Sequence, residues 1–364
     1  MKMLIGVGSI AALALTASAQ PPAVSVGDAA QASFQPTLGS RIAFTRIAEN
    51  VLDPNRDFRF DAEIWIMNGD GSDPRRVTEN RRDDLGTEWS PDGRTIAFHG
   101  AQWTIDEATG EFRQGRPQIF LVDVESGVEM PLLTDLGVPV LGRNPSWSPD
   151  GRKIAYDTGR QTSQIFSINV DGTGQTQLTH PEQLTEGLVA PNIRPDWSPD
   201  GRHIAFSSGR DGKQQIYVMN ADGSELVPLT DNAKSGCEPT ENCNAVAPDW
   251  SPNGQRIAFQ STRVIEPDEK PNSNIYVMNA DGTDPQRLTG YPGPDLDADW
   301  SPDGRMIVFQ RQIESDTPPR AVNQLFVVSA DGGDAVPLTA VCVPLIPCSA
   351  NGHPAWSRGR AVKP

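Results

Sequence analysis

Three of the four histidines in this 364-residue chain, His99, His180 and His353, fall in or at the ends of segments that vary between otherwise repeated phrases. Imidazoles brought together from separate segments can hold a metal such as zinc, but only where the segments fold inward; the competing reading is neutral surface histidine. Four acids, Glu88, Asp196, Asp249 and Asp299, each stand immediately before a tryptophan; Ser146 and Ala355 take that place in two further copies. A ring of such carboxylates would attract a cation. The competing use is as acceptors for a neighbouring backbone. The stretch "DPNRDFRFD" sets Asp53, Asn55, Asp57 and Asp61 at positions 1, 3, 5 and 9 of a calcium-loop pattern, but the turn glycine is missing and Ile64 stands where a bidentate Glu belongs. "QWTIDEATGEFRQ" at 102–114 alternates about a central turn and predicts a hairpin carrying Trp103, Phe112 and Arg113. Aromatic and Arg residues on a projecting hairpin are suited to contact with a protein partner. Pairs such as Asp157 with Arg160, and Arg210 with Asp211, read as solvated loop charges. The chain has no G-x-S-x-G, no HExxH and no phosphate-binding loop.

What must position these residues is a repeat. "WSPDGRTIAF" at 89–98 returns as "WSPDGRKIAY" at 147, "WSPDGRHIAF" at 197, "WSPNGQRIAF" at 250 and "WSPDGRMIVF" at 300. The apolar triplet recurs at 42–44, 96–98, 154–156, 204–206, 257–259 and 307–309. A second apolar run follows each, such as "QIYVMN", then a Gly turn such as "ADGS", then "VT" or "LT". Pro presets the first turn, and Asp and Gly tolerate its other positions. Each copy therefore predicts four short strands, with the second and third apolar on both faces and so covered on both sides. A period of about 50 residues with several strands per copy points to a propeller. The first copy lacks a Trp strand, and the last, "HPAWSRG", is a Trp strand alone. The economical solution is closure: Trp356 completes the blade whose other strands come from 41–78, giving an all-β, six-bladed ring. On this reading Trp89, Trp147, Trp197, Trp250, Trp300 and Trp356 are frame residues packed between blades.

The phrase "WSPDGRxIAF…IYVMNxDGSxxxLT" resembles the repeat of the TolB-like six-bladed propellers, over about residues 39–357. The resemblance implies the same ring, here as residues 39–364. TolB itself carries an additional N-terminal α/β domain, whereas only a linker, 20–38, precedes the ring in this sequence. Polysaccharide lyases related to this family use a His and metal cluster on the loop face, so the resemblance also implies a rival, polysaccharide-active reading.

The N-terminus has one Lys, an apolar run and "ASA", which is the layout of a secretory signal peptide ending at Ala19. That places the mature chain in the periplasm or outside the cell, where disulfides persist. Cys237 with Cys243 and Cys342 with Cys348 have the same spacing at matching points of the repeat, which favours two local bridges. Lys plus Arg number 31 against 47 Asp plus Glu, a net charge of −16. Such an excess of acid disfavours nucleic acid and anionic membrane as partners. No stretch after the leader is apolar enough to cross a bilayer.

The turn chemistry assigns the faces. "SPDG" and "DGS" both lie on one plain face, while the connections two–three and four–one vary and lie on the other. The two–three connections are long at 45–61, 99–116, 260–273 and 310–322, and short at 157–163 and 207–213. The expectation is an exported, monomeric, non-catalytic scaffold that binds a protein or envelope-associated partner on the variable face. No cofactor is expected beyond a divalent cation in the channel.

Overall fold

Every "SPDG" and "DGS" of the sequence does make a reversal, and the strands between them fall where the repeat predicts. The computed structural model describes residues 39–47, 62–80, 82–105, 112–159, 162–180, 191–230, 244–263, 272–314, 321–339 and 351–357. Strands β1 (Arg41–Ile47), β2 (Ala62–Asn68) and β3 (Arg75–Arg76) begin blade I. Blade II holds β4 (Arg82–Trp89), β5 (Thr95–Ile105), β6 (Phe112–Gln114), β7 (Gln118–Asp123) and β8 (Glu129–Pro131). Blade III holds β9 (Arg143–Trp147), β10 (Lys153–Asp157), β11 (Ile165–Asn169) and β12 (Thr176–Gln177). Blade IV holds β13 (Asn192–Trp197), β14 (His203–Ser208), β15 (Gln215–Asn220) and β16 (Val227–Pro228). Blade V holds β17 (Ala245–Trp250), β18 (Arg256–Ser261), β19 (Asn274–Asn279) and β20 (Gln286–Arg287). Blade VI holds β21 (Asp295–Trp300), β22 (Met306–Glu314), β23 (Ala321–Ser329) and β24 (Val336–Pro337). Finally β25 (Asn351–Trp356) returns to pair with β1, with Ile42 opposite Trp356 and Ala43 opposite Ala355. The sheet order β25-β1-β2-β3 closes a six-bladed ring. The Ser357 amide donates to the Arg41 carbonyl at 2.7 Å, and the Arg41 amide to Ser357 Oγ at 2.9 Å.

The triplet explains the packing between blades. In blade II, Ile96 and Phe98 join Trp89 on one face, against Ala43, Ile64 and Ile66 of blade I. Ala97 points the other way, into the cluster that holds Trp147 of blade III. Ala155, Ala205 and Ala258 likewise share clusters with Trp197, Trp250 and Trp300. The small central residue makes room for the next blade's indole, and the two large ones fill the near side. All six repeat tryptophans are buried. Leaving any one of them in water would forfeit about 1.5–3 kcal/mol or more of transfer free energy.

The "SPDG" turn supplies its own hydrogen bonds. Ser90 Oγ donates to Asp92 Oδ1 at 2.6 Å, the Arg94 amide donates to the same oxygen at 3.1 Å, and the Thr95 amide donates to Ser90 Oγ at 3.0 Å. Gly93 takes φ +67°, a conformation L side chains avoid. The outermost strands are shorter than expected and precede "LT" rather than contain it. The threonine instead caps the third strand, as where the Ile165 amide donates to Thr179 Oγ1 at 2.9 Å.

Two of the long connections prove partly strand. β22 and β23 stay paired as far as Glu314 and Ala321, so much of 310–322 is ladder rather than loop. β5 runs on to Ile105 and pairs with β6, Trp103 opposite Gln114 and Ile105 opposite Phe112. The calcium-like pattern at 53–61, all four cysteines and the apolar N-terminus lie outside the described residues. Among the described residues no helix is long and apolar enough to cross a membrane.

Candidate functional site: the channel mouth

The first strands line the central channel, and each is interrupted by a bulge near its middle. The residue three before each Trp is Gly86, Asn144, Arg194, Ala247, Asp297 or His353, and all six have φ between +46° and +65°. The β4–β5, β13–β14, β17–β18 and β21–β22 ladders shift register just there. A bulge bends its strand and redirects the side chain it carries. Here it brings six different residues, five of them with side chains, to one mouth, on the side from which the long connections leave.

A side chain from the preceding blade satisfies the bulge amide. The residue immediately after the triplet does this in four of the blade joints: the Asn144 amide donates to His99 Nδ1 at 3.4 Å and the Arg194 amide to Asp157 Oδ2 at 3.0 Å. The Ala247 amide donates to Ser207 Oγ at 2.9 Å, and the Asp297 amide to Gln260 Oε1 at 3.1 Å. This position is polar in all six copies, Thr45, His99, Asp157, Ser207, Gln260 and Gln310. That was the signal in the sequence which could have found it.

Two expectations are corrected by this arrangement. His99 is not in a variable loop: it sits inside β5, opposite Leu85 and Ile119, and is only 6% exposed. Burial, then the nearby His353, Arg143 and Arg194, push its pKa well below the ordinary imidazole value, so the ring is neutral and its Nδ1 can accept. Asp157 is not a solvated loop charge. It is buried and also accepts from Asn144 Nδ2 at 2.7 Å and the Gly159 amide at 3.0 Å. His353 likewise lies within β25 rather than in a loop, while His180 is exposed just beyond Thr179.

The charged groups of the mouth meet across the channel. Arg194 of blade IV pairs with Asp297 of blade VI, and His353 Nδ1 of blade I lies 3.1 Å from the other Asp297 oxygen. Burial alone would push the Asp297 carboxyl up, but Arg194 and then His353 outweigh it and hold its pKa below the ordinary value. For His353 burial wins over the attraction of Asp297, and Arg194 adds to the downward shift. The cavity they border is about 110 Å³. Small-molecule sites usually span about 300–1,000 Å³, so this one suits water, an ion or the tip of an inserted chain.

Three of the four acids before the tryptophans serve the joints between blades. Asp196 Oδ2 accepts the Trp250 amide at 2.7 Å, Asp249 Oδ2 the Trp300 amide at 2.9 Å, and Asp299 Oδ1 the Trp356 amide at 2.9 Å. Ser146 Oγ takes the same part for Trp197 at 3.2 Å and itself donates to Asp196 Oδ1 at 3.1 Å. Glu88 also borders the cavity. Among the described residues no group of three or more His, Cys, Asp or Glu is placed to hold a metal ion. Trp103, Phe112 and Arg113 are on the β5–β6 hairpin, which prolongs the strand that carries His99.

A closed ring of six four-stranded blades around a narrow polar channel defines a six-bladed β-propeller. The chain belongs to the TolB beta propeller domain family, whose model matches residues 108–240 and 239–358. It is 31% identical over 208 residues to an uncharacterized protein of Agrobacterium fabrum, covering 54% of this chain and 60% of that one. It is 38% identical over 70 residues to a TolB homolog of Chlorobium luteolum, covering 19% of this chain and 14% of the relative. The chain thus spans less than two thirds of these relatives' lengths. The crystal structure of TolB from Acinetobacter baumannii superposes with a TM-score of 0.61 at 20% identity, covering 88% of this chain and 67% of that one. At that identity the likeness is one of fold.

Proposed function

We propose that the protein is an exported, non-catalytic scaffold that binds a protein or envelope-associated partner on its variable face, centred on the channel mouth. The Arg194–Asp297–His353 cluster carries this reading. Its charged groups sit on a rigid ring of bulges, on the side from which the long connections rise, over a cavity too small for most metabolites. A broad surface with a shallow polar centre fits a protruding segment of another macromolecule better than an enclosed substrate. The leader ending at Ala19, the periplasmic or extracellular location, the two local disulfides and the monomeric state belong to the same proposal.

The test is capture from an envelope fraction, identified by mass spectrometry, with wild-type protein, Asp297→Asn and Trp103→Ala. Both variants are expected to fold and to retain less of the same partner. Equal capture by both would overturn the reading. A stoichiometric divalent ion in the purified protein, lost on removing His180 and His353, would instead support the polysaccharide-active alternative.

A further inference from the structure

The residue just before each apolar triplet is Arg41, Thr95, Lys153, His203, Arg256 or Met306 in blades I to VI. On the plain face the two arginines of this set reach over the next blade's tryptophan. Arg256 of blade V lies over the Trp300 ring, 4.8 Å from its centre. Its guanidinium donates to the Ala330 carbonyl at 3.1 Å, to Asp331 Oδ1 at 3.1 Å and to the Gly304 carbonyl at 3.5 Å. Arg41 of blade I does the same over Trp89, at 4.7 Å, and donates to the Gly93 carbonyl at 2.7 Å. The chain therefore builds the same guanidinium seat at least twice: an indole face, a turn carbonyl and, for Arg256, the carbonyl and acid of the next "DG" turn.

The seat is repeated between blades IV and V without an arginine to fill it. Trp250, Gly254, Ala280 and Asp281 occupy the repeat positions of Trp300, Gly304, Ala330 and Asp331. The backbone frame is also the same: the Ala280 amide donates to the Gln255 carbonyl at 2.9 Å, as the Ala330 amide does to the Arg305 carbonyl at 2.8 Å. In place of Arg stands His203, whose ring is too short to span the groove. What remains is a hollow of about 600 Å³, bordered by those four residues, His203 and Asp200. Asp200 and Asp281 both lie at the exposed edge, so the opening is acidic over an aromatic floor.

We propose that this plain-face groove is a docking site for an arginine side chain of a protein partner. The guanidinium would lie on Trp250 and donate to the Ala280 carbonyl and to Asp281 Oδ2, following the Arg256 arrangement; Asp281 Oδ1 already accepts the Thr283 amide at 3.0 Å and hydroxyl at 2.6 Å, a turn in which blade VI has Gly333 instead. A flat, weakly hydrated guanidinium with several in-plane donors fits both the indole face and the two oxygens, whereas an ammonium fits only one. The site lies on the face opposite the channel mouth, so its failure would leave the proposed function untouched.

The test is an NMR titration of the Trp250 indole N–H, assigned with Trp250→Phe, using N-acetyl-arginine N-methylamide as the probe. A saturable shift at millimolar probe is expected, with the lysine analogue binding about tenfold or more weakly and the uncharged citrulline analogue not shifting the peak. His203→Arg should fill the groove with the chain's own guanidinium and abolish the response, while folding as Arg256 shows the frame permits. Asp281→Asn should weaken binding several-fold with the fold intact. No shift in wild type, an equal shift with citrulline, or an undiminished shift in His203→Arg would each overturn the proposal. Self-association of the wild type that His203→Arg abolishes would make the occupant a second copy of this chain, which also overturns the assignment to another protein.

Discussion

Two points on the first strand, three residues apart, follow opposite rules. At one, the same Trp appears six times and performs the same task, packed between its own triplet and the preceding blade. At the other, the same left-handed backbone appears six times under six different residues, Gly86, Asn144, Arg194, Ala247, Asp297 and His353. The propeller repeats its backbone more faithfully than its chemistry. Where the side chain makes the joint, the residue cannot change. Where the backbone makes the bulge and a neighbouring blade satisfies its amide, the side chain is released to serve the channel.

The sharpest way to break this comparison is at the constant point. Trp197→Ala should lower stability by about 3–5 kcal/mol, because the cavity opens between two rigid sheets that cannot collapse into it. Urea denaturation would show it as a large fall in midpoint, and a loss of under about 1 kcal/mol would mean that the indole is no joint.

At the variable point the effect should depend on which residue is already there. Gly86→Ala should cost about 2–3 kcal/mol, since a Cβ would strain φ at +65° and come within 2.7 Å of His99 Nδ1. The smallest effect expected here is the reverse exchange. Ala247→Gly relieves a methyl-bearing residue at φ +54° and should raise stability by about 0.5–1 kcal/mol. If Ala247→Gly destabilised as much as Gly86→Ala, the bulge would not be the shared element.

Between these two lies a third site, where one blade departs from its siblings. In blades III and IV, Gln164 just before the third strand and Gln215 at its start accept the "LT" threonine hydroxyl, at 2.9 and 2.7 Å. Blade I has Glu63 there, accepting Thr78 Oγ1 at 2.7 Å and the Asn80 amide at 2.8 Å. Burial raises its pKa from 4.5 to about 7, despite those two donors and with help from the Asp84 charge. A folded-state pKa above the unfolded one adds stability at low pH, and that stability is lost as pH rises through the folded value. Glu63→Gln should therefore match wild type near pH 4 and exceed it by about 1–2 kcal/mol near pH 8. Parallel melting curves at the two pH values would check this; an equal gain at both would remove the carboxylate as the cause.

Much of the frame was legible because its causes are local. Pro and Gly at fixed turn positions, a Trp before each turn and two apolar runs per copy announce four strands, and the strand missing before residue 41 has its counterpart at Trp356. The channel mouth was much less legible. His99 and Asp157 read as loop residues because a polar residue after a triplet looks like the end of a strand. Only the neighbouring blade's bulge gives them a buried amide to accept.

The acids before the tryptophans show the same limit from the other direction. Their recurrence is plain in the sequence, yet a cation ring and a set of backbone acceptors predict the same letters. That Asp196, Asp249 and Asp299 accept the next blade's Trp amide is a fact of the ring, which the letters do not show. The sequence by itself therefore determined the blade, its turns, its number and its closure, since short-range turn chemistry and strand periodicity suffice for those. The tertiary structure decided which side chains share a space: Arg194, Asp297 and His353, from three blades, and the hollow over Trp250 that His203 leaves open. Those contacts join residues tens to hundreds of positions apart, and only the closed ring brings them within reach of one another.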